Sequence, residues 1–156
     1  MTEYDFQEQL KQGQKEERYL DSRFSKWFTI TPATMDEQRN GLDRWFDDGK
    51  RRMAIEYKAD KVSQRTGNAF IETVSVQSTI KTKPGWAYTS CSDYIMYYVL
   101  GLEVVYLLDT EELKTVIDSW CDKFPSRTVP NRGYSTIGIL VPLDVLESFS
   151  TQAISL

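Results

Sequence analysis

The chain has 156 residues, 40% hydrophobic and 27% charged, a composition that suits one soluble globular domain and excludes fibrous and disordered classes. It contains no histidine, which rules out Ser-His-Asp and Cys-His catalysis, His-ligated zinc and any nuclease chemistry built on a histidine base, so hydrolytic work must rest on carboxylates and lysine. The net charge of −4 argues against a general nucleic-acid coat protein and leaves a single local groove to be judged on its own residues.

The segment from about Tyr4 to Phe24 is charged and poor in β-branched residues. Phe6, Leu10, Leu20 and Phe24 are spaced for one amphipathic helix, with a possible break near Gly13. Trp27 to Thr31 predicts a short strand ended by Pro32, and Ala33 to Gly41 a loop. Leu42 to Phe46 and Arg51 to Lys58 read as strands around Asp48-Gly49, a strong tight-turn signal. A polar connection reaches Asn68, and Ala69 to Val76 reads as a further strand. After a basic turn with Lys81, Lys83, Pro84 and Gly85, the runs Tyr94–Leu100 and Val104–Leu108 predict paired strands joined through Gly101. Asp109 or Thr110 can cap a helix from Glu111 to Lys123 that buries Leu113, Val116, Ile117 and Trp120. Ile137 to Val141 predicts a strand, and Leu143 to Leu146 a turn or short helix. One domain over 1–156 is expected.

No run approaches the roughly 18–20 uninterrupted apolar residues of a membrane span, and the polar N-terminus lacks a signal-peptide pattern, so a cytoplasmic location is expected. Cys91 and Cys121 lack the number and spacing of a zinc site or disulfide framework and are read as reduced, partly buried thiols.

With Asp48-Gly49 as a two-residue turn, Phe46 pairs with Arg51, Arg44 with Met53 and Asp43 with Ala54. Opposed residues share a face, so Asp43 lies with Ala54, Glu56 and Lys58, while Leu42, Phe46, Met53, Ile55 and Tyr57 take the other side. Two carboxylates a diagonal step apart suit one hard cation, Mg²⁺ or Mn²⁺, that polarises a phosphate and acidifies a water. A lysine one pleat further on can orient that water or offset developing charge. The same three residues also suit a plain salt-bridge ladder across a hairpin.

Asp43, a hairpin, then Glu56-Tyr57-Lys58, approached through the apolar Met53-Ala54-Ile55, resembles the D…(D/E)-x-K core of the PD-(D/E)XK nuclease superfamily. Leu42 stands where the superfamily's proline is usual, and the resemblance is concentrated between about Asn40 and Glu72. It implies an α/β domain with a central mixed sheet of about five strands flanked by helices. It further implies metal-dependent hydrolysis of DNA phosphodiesters with Asp43 and Glu56 as metal ligands and Lys58 beside them, and a possible homodimer. The superfamily's preceding helix often adds an acid, matched here by Glu17 in preference to Glu16, unless Glu17 is simply a solvated helix charge. The alternative is a catalytically inactive nuclease-fold module that binds nucleic acid or a protein partner.

Around this core, Lys50, Arg51, Arg52, Lys61, Arg65, Lys81 and Lys83 make the middle of the chain basic, which suits either DNA phosphates or a solvated face. Trp86 and Tyr88 offer stacking faces or packing, and Tyr94, Tyr97 and Tyr98 read as core. Glu72 is either a further metal-side acid or an outward-pointing residue of an edge strand; the second reading is preferred.

Overall fold

The computed structural model describes residues 3–156, with side chains from Gln7 onward. In chain order the elements are α1 Glu3–Phe24, β1 Thr29–Pro32, α2 Met35–Arg39, β2 Arg44–Asp47, β3 Arg52–Asp60, α3 Ser63–Thr66, β4 Asn68–Gln77 and β5 Thr82–Pro84. There follow α4 Trp86–Thr89, β6 Tyr94–Val99, β7 Val104–Asp109, α5 Thr110–Lys123, β8 Ser126–Pro130, β9 Ser135–Pro142, α6 Leu143–Phe149 and β10 Gln152–Ser155.

The fold is mixed α+β and carries two sheets among the described residues. The first is a six-stranded mixed sheet in the order β1-β2-β3-β6-β7-β10, in which only β3 and β6 run parallel. The second, antiparallel and ordered β5-β4-β9-β8, was not anticipated from the sequence. A parallel pair needs a long crossover; here the chain between β3 and β6 carries α3, β4, β5 and α4, so the crossover itself lays part of the second sheet over the first.

One face of the large sheet packs on α1. Leu20 and Phe24 of the helix meet Phe46, Ile55, Tyr57, Met96, Tyr98 and Val105. Helix α1 runs through Gly13 without interruption, and Leu10 is exposed instead of buried because the helix meets the sheet through its C-terminal half. The Phe6 side chain lies outside the described residues. On the opposite face Ile95, Tyr97, Val99, Tyr106 and Leu108 pack against Ala69, Ile71, Ile139 and Val141 of the second sheet and Leu113, Ile117 and Trp120 of α5. Helix α5 starts as the sequence predicts, with the Asp109 side chain accepting from the Glu112 N–H at 3.0 Å. The expected loop after β1 instead contains α2, closed by a reciprocal cap between Thr34 and Glu37. Cys91 and Cys121 are free and exposed, not partly buried. No described helix is long and apolar enough to cross a membrane.

The β2–β3 hairpin is real, but its register is two residues removed from the expected one: Phe46 pairs with Met53 and Arg44 with Ile55. Asp48-Gly49 sits in a four-residue connection, where Asp48 Oδ1 accepts from the Lys50 and Arg51 N–H groups. A slip of two preserves the parity of every paired side chain, so Phe46, Met53, Ile55 and Tyr57 still face away from Ala54, Glu56 and Lys58. Leu42 does change side, packing with Ala33, Ala54 and Trp45, because it precedes the strand and escapes its alternation.

Helix α1 is fastened by a polar network as well as by apolar contact. Arg44 Nε donates to Asp21 Oδ1 at 3.0 Å, Arg44 Nη2 reaches Glu17 Oε2 at 3.2 Å, and the Tyr57 hydroxyl donates to Asp21 at 2.8 Å. Burial together with the nearby Asp21 carboxylate holds the Tyr57 hydroxyl pKa far above its usual value, so it serves as a fixed donor. Asp21→Ala removes the acceptor shared by Arg44 and Tyr57 and should cost about 2–3 kcal/mol. Thermal unfolding should show this as a fall of roughly 5–10 °C; an unchanged midpoint would mean that apolar packing alone holds the helix.

Candidate functional site

Strand β3 is flanked by β2 and β6 and covered on both faces, so a charge on it is removed from water. Glu56 is 4% exposed. Its Oε1 lies 2.9 Å from Lys58 Nζ, two residues along the same face. Its Oε2 is inaccessible to solvent and has no hydrogen-bond partner. A buried carboxylate oxygen without a donor is costly and calls for a physical explanation. The loop ahead of β2 is pressed against it: at Gly41, where φ is +76°, a Cβ would stand 3.0 Å from Glu56 Oε2 and 3.1 Å from Ser90 Cα. Glycine there supplies both the left-handed backbone and the room for the carboxylate.

Asp43 occupies the end of β2 in an unusual way. Its N–H donates to the Ile55 carbonyl at 2.8 Å, and its Oδ2 accepts from the Tyr57 N–H at 2.7 Å, replacing the main-chain carbonyl that a longer strand would have offered. The carboxylate is thereby pinned at the margin of β3, one residue from Glu56, with Oδ1 left for another partner. Glu17 stands on the α1 side of this margin. Burial raises its pKa; Arg44 offsets part of that effect, and the neighbouring Asp43 charge adds to it. The four residues singled out in the sequence therefore gather as two neighbouring pairs, Glu56 with Lys58 and Glu17 with Asp43.

Three further residues enter that the sequence did not mark for a role or assigned elsewhere. Arg44 was unmarked, although its place between Asp43 and Trp45 puts it on the helix-facing side by simple alternation. Trp86 is buried, and its ring lies 5.6 Å from Lys58 Nζ, limiting where the ammonium can move. Glu72 does not point outward from an edge: β4 is an interior strand of the second sheet, and the Glu72 carboxyl approaches Lys58 and Glu56. Burial raises its pKa and Glu56 adds to the rise, while Lys58 and the Trp86 N–H pull it back. The acidic side of the hairpin is thus covered in part by the second sheet and α4, with Glu56 buried and Lys58 partly exposed.

The basic residues do not form one patch. Arg51 and Arg52 lie at the start of β3, where Arg52 stacks over Trp45 at 3.7 Å. Lys61 and Arg65 lie beyond its other end, about 26 Å away at 3.3 Å per residue. Lys81 and Lys83 stand at the β4–β5 turn, where the direct approach of the Lys83 side chain, and then its charge, lowers the Lys81 pKa. Tyr88 donates to Asp118 at 2.8 Å, while Tyr97 and Tyr98 are core residues as predicted.

Among the described residues no three Asp, Glu or Cys side chains cluster closely enough to wrap a metal. The donor chemistry nevertheless suits a hard cation, since Asp43 is held at the backbone N–H next to Glu56 and one Glu56 oxygen has no hydrogen-bond partner, although that oxygen is closed to solvent by the Gly41 loop. Water and phosphate oxygens commonly complete such a shell around Mg²⁺.

No protein-family model matches the chain, and no curated protein matches it. Among solved structures, the chain is similar to a bacterial homing endonuclease at a TM-score of 0.47 and 17% identity, over 64% of this chain and 66% of that one. Likeness at this level assigns no chemistry.

Proposed function

We propose that the chain is a metal-dependent phosphodiester hydrolase acting on DNA, of the PD-(D/E)XK kind, with Asp43 and Glu56 as metal ligands and Lys58 as the charge-stabilising group. The observation that carries this reading is the buried Glu56: one oxygen held by Lys58, the other without any donor, and Asp43 fixed at the backbone N–H of the next residue, Tyr57. A purely structural ion pair gains little from such burial, since a hydrophobic replacement is often as stable or more so.

Hydrolysis adds water oxygen to phosphorus, breaks one ester P–O bond and leaves a phosphomonoester and a hydroxyl. A bound Mg²⁺ or Mn²⁺ would supply Lewis acidity toward the phosphate and its attacking water. Lys58 places a fixed positive charge beside the phosphoryl oxygens, where negative charge grows as the bond breaks. The Tyr57 N–H orients Asp43, and Trp86 confines Lys58. Glu17, tied to Arg44, helps hold α1 over the site.

A second reading, a nuclease-fold module that binds without cutting, draws on the direct contact between Lys58 and Glu56, an ion pair that forms without a metal. Two measurements separate the readings. Lys58→Met keeps most of the apolar stem and should reduce Mg²⁺- or Mn²⁺-dependent plasmid cleavage about 100- to 1,000-fold; a folded variant cutting at the wild-type rate refutes the assignment. Asp43→Asn retains an acceptor for the Tyr57 N–H but loses the charge, so calorimetry should record at least about a tenfold weaker Mn²⁺ affinity. Equal Mn²⁺ binding by the two proteins favours the silent module.

A further inference from the structure

Next to Lys58 lies a half-open cavity of about 640 Å³, between the end of β3 and the face of the second sheet that carries Phe70 and Leu140. Phe70, Trp86 and Tyr97 give it aromatic walls, and of its three basic residues Lys58 is paired with Glu56, which leaves Lys61 and Arg127 to act on a ligand. Among the described residues neither Lys61 nor Arg127 forms a salt bridge. The acid in the lining, Asp60, is already committed: it accepts from the Tyr97 hydroxyl and from the Val62 and Ser63 N–H groups. The Tyr97 hydroxyl in turn accepts from the Phe70 N–H, so this side chain is fixed without a ligand. What remains for a ligand is apolar and aromatic surface with positive charge around it.

We propose that this cavity receives one unpaired nucleotide of the strand whose phosphate lies at Lys58, which makes DNA with a displaced or unpaired base the preferred substrate class. The proposal rests on the nuclease reading above. Three properties favour a nucleotide over other occupants. The volume falls within the roughly 300–1,000 Å³ of pockets that enclose ligands of that size. Aromatic walls accept any base by its face, whatever the sequence. The cations match the flanking phosphates, and Lys58 belongs to both the cavity and the candidate site, so an occupant is continuous with the strand at the scissile bond. A stacked, paired base cannot enter; it must first leave the helix, a cost that is smallest where the base has no partner.

The test compares three DNAs of otherwise identical sequence by fluorescence anisotropy, in Ca²⁺ to hold off cleavage: a fully paired duplex, the duplex with one bulged nucleotide, and the same bulge made abasic. The full-length protein should bind the base-bearing bulge about tenfold or more tighter than the other two. Phe70→Ala, which removes a wall, and Val129→Trp, which fills the cavity from edge strand β8, should each abolish that difference with folding checked by thermal melting. Lys61→Ala and Arg127→Ala should weaken all three complexes and lower the salt slope by about one apiece. Equal affinity for the base-bearing and abasic bulges overturns the cavity assignment, as does a preference that survives both cavity variants. If metal-dependent plasmid cleavage persists in that case, the nuclease reading stands without the pocket; failure to bind or cut any of these DNAs removes both.

Discussion

The structure depends on a carboxylate buried in the middle of a sheet. Strand β3 is sandwiched between α1 on one face and the second sheet with α4 on the other, so Glu56 sits where an aliphatic side chain would ordinarily pack. Desolvating that charge is tolerable only because Lys58 reaches back along the same face. Several neighbouring features are shaped by it: the glycine at position 41 that lets the loop close over the carboxylate, the Trp86 ring beside the ammonium, and the approach of Glu72 from the second sheet. A core optimised for stability alone would have no reason to assemble these groups, and that is the physical ground for treating the region as a site.

The two faces of β3 divide the work. On the α1 side, Arg44 and Tyr57 converge on Asp21, converting a helix whose described residues bury Leu20 and Phe24 in the core into one held in a defined position. Because Arg44 also grips Glu17, the fastening of the helix and the placement of Glu17 near Asp43 depend on one guanidinium. On the other side, the crossover between the parallel strands brings Glu72 and Trp86 against Lys58 and sets Phe70 in the wall of the neighbouring cavity. The same requirement that makes the crossover long, returning the chain to run parallel, thereby supplies the roof of the site.

How much of this was legible in the sequence follows from how local each signal is. The β2–β3 hairpin, the β6–β7 pair and the Asp109-capped α5 are encoded within short windows by turn residues, alternation and capping chemistry, and they stand as expected. The hairpin register moved by two, yet the side-chain faces survived because alternation has a period of two. Strands β8 and β10 were missed. Ser126–Pro130 is almost wholly exposed and Gln152–Ser155 is mostly so, and both lie at sheet edges, where neither burial nor alternation leaves an apolar pattern. The second sheet joins β4 to β9, whose paired residues run from Gln77 with Ser135 to Asn68 with Pro142, and such a distant pairing has no local signature. For the same reason Glu72 looked like an edge residue: only the partner strands make β4 interior.

The distribution of positive charge bears on what the chain can recognise. A net charge of −4 gives no general attraction for DNA, and the basic residues of the middle segment are spread between the ends of β3 and the β4–β5 turn, so no broad cationic surface forms from them. Two cations without a salt-bridge partner among the described residues, Lys61 and Arg127, do share one small space, the rim of the cavity beside the Lys58–Glu56 pair. Arg127, from an edge strand with little in its sequence to mark it, is needed to complete that set. Positive charge placed so narrowly acts on one or two phosphates instead of a long stretch of duplex, and it leaves discrimination to the shape and aromatic surface of the cavity.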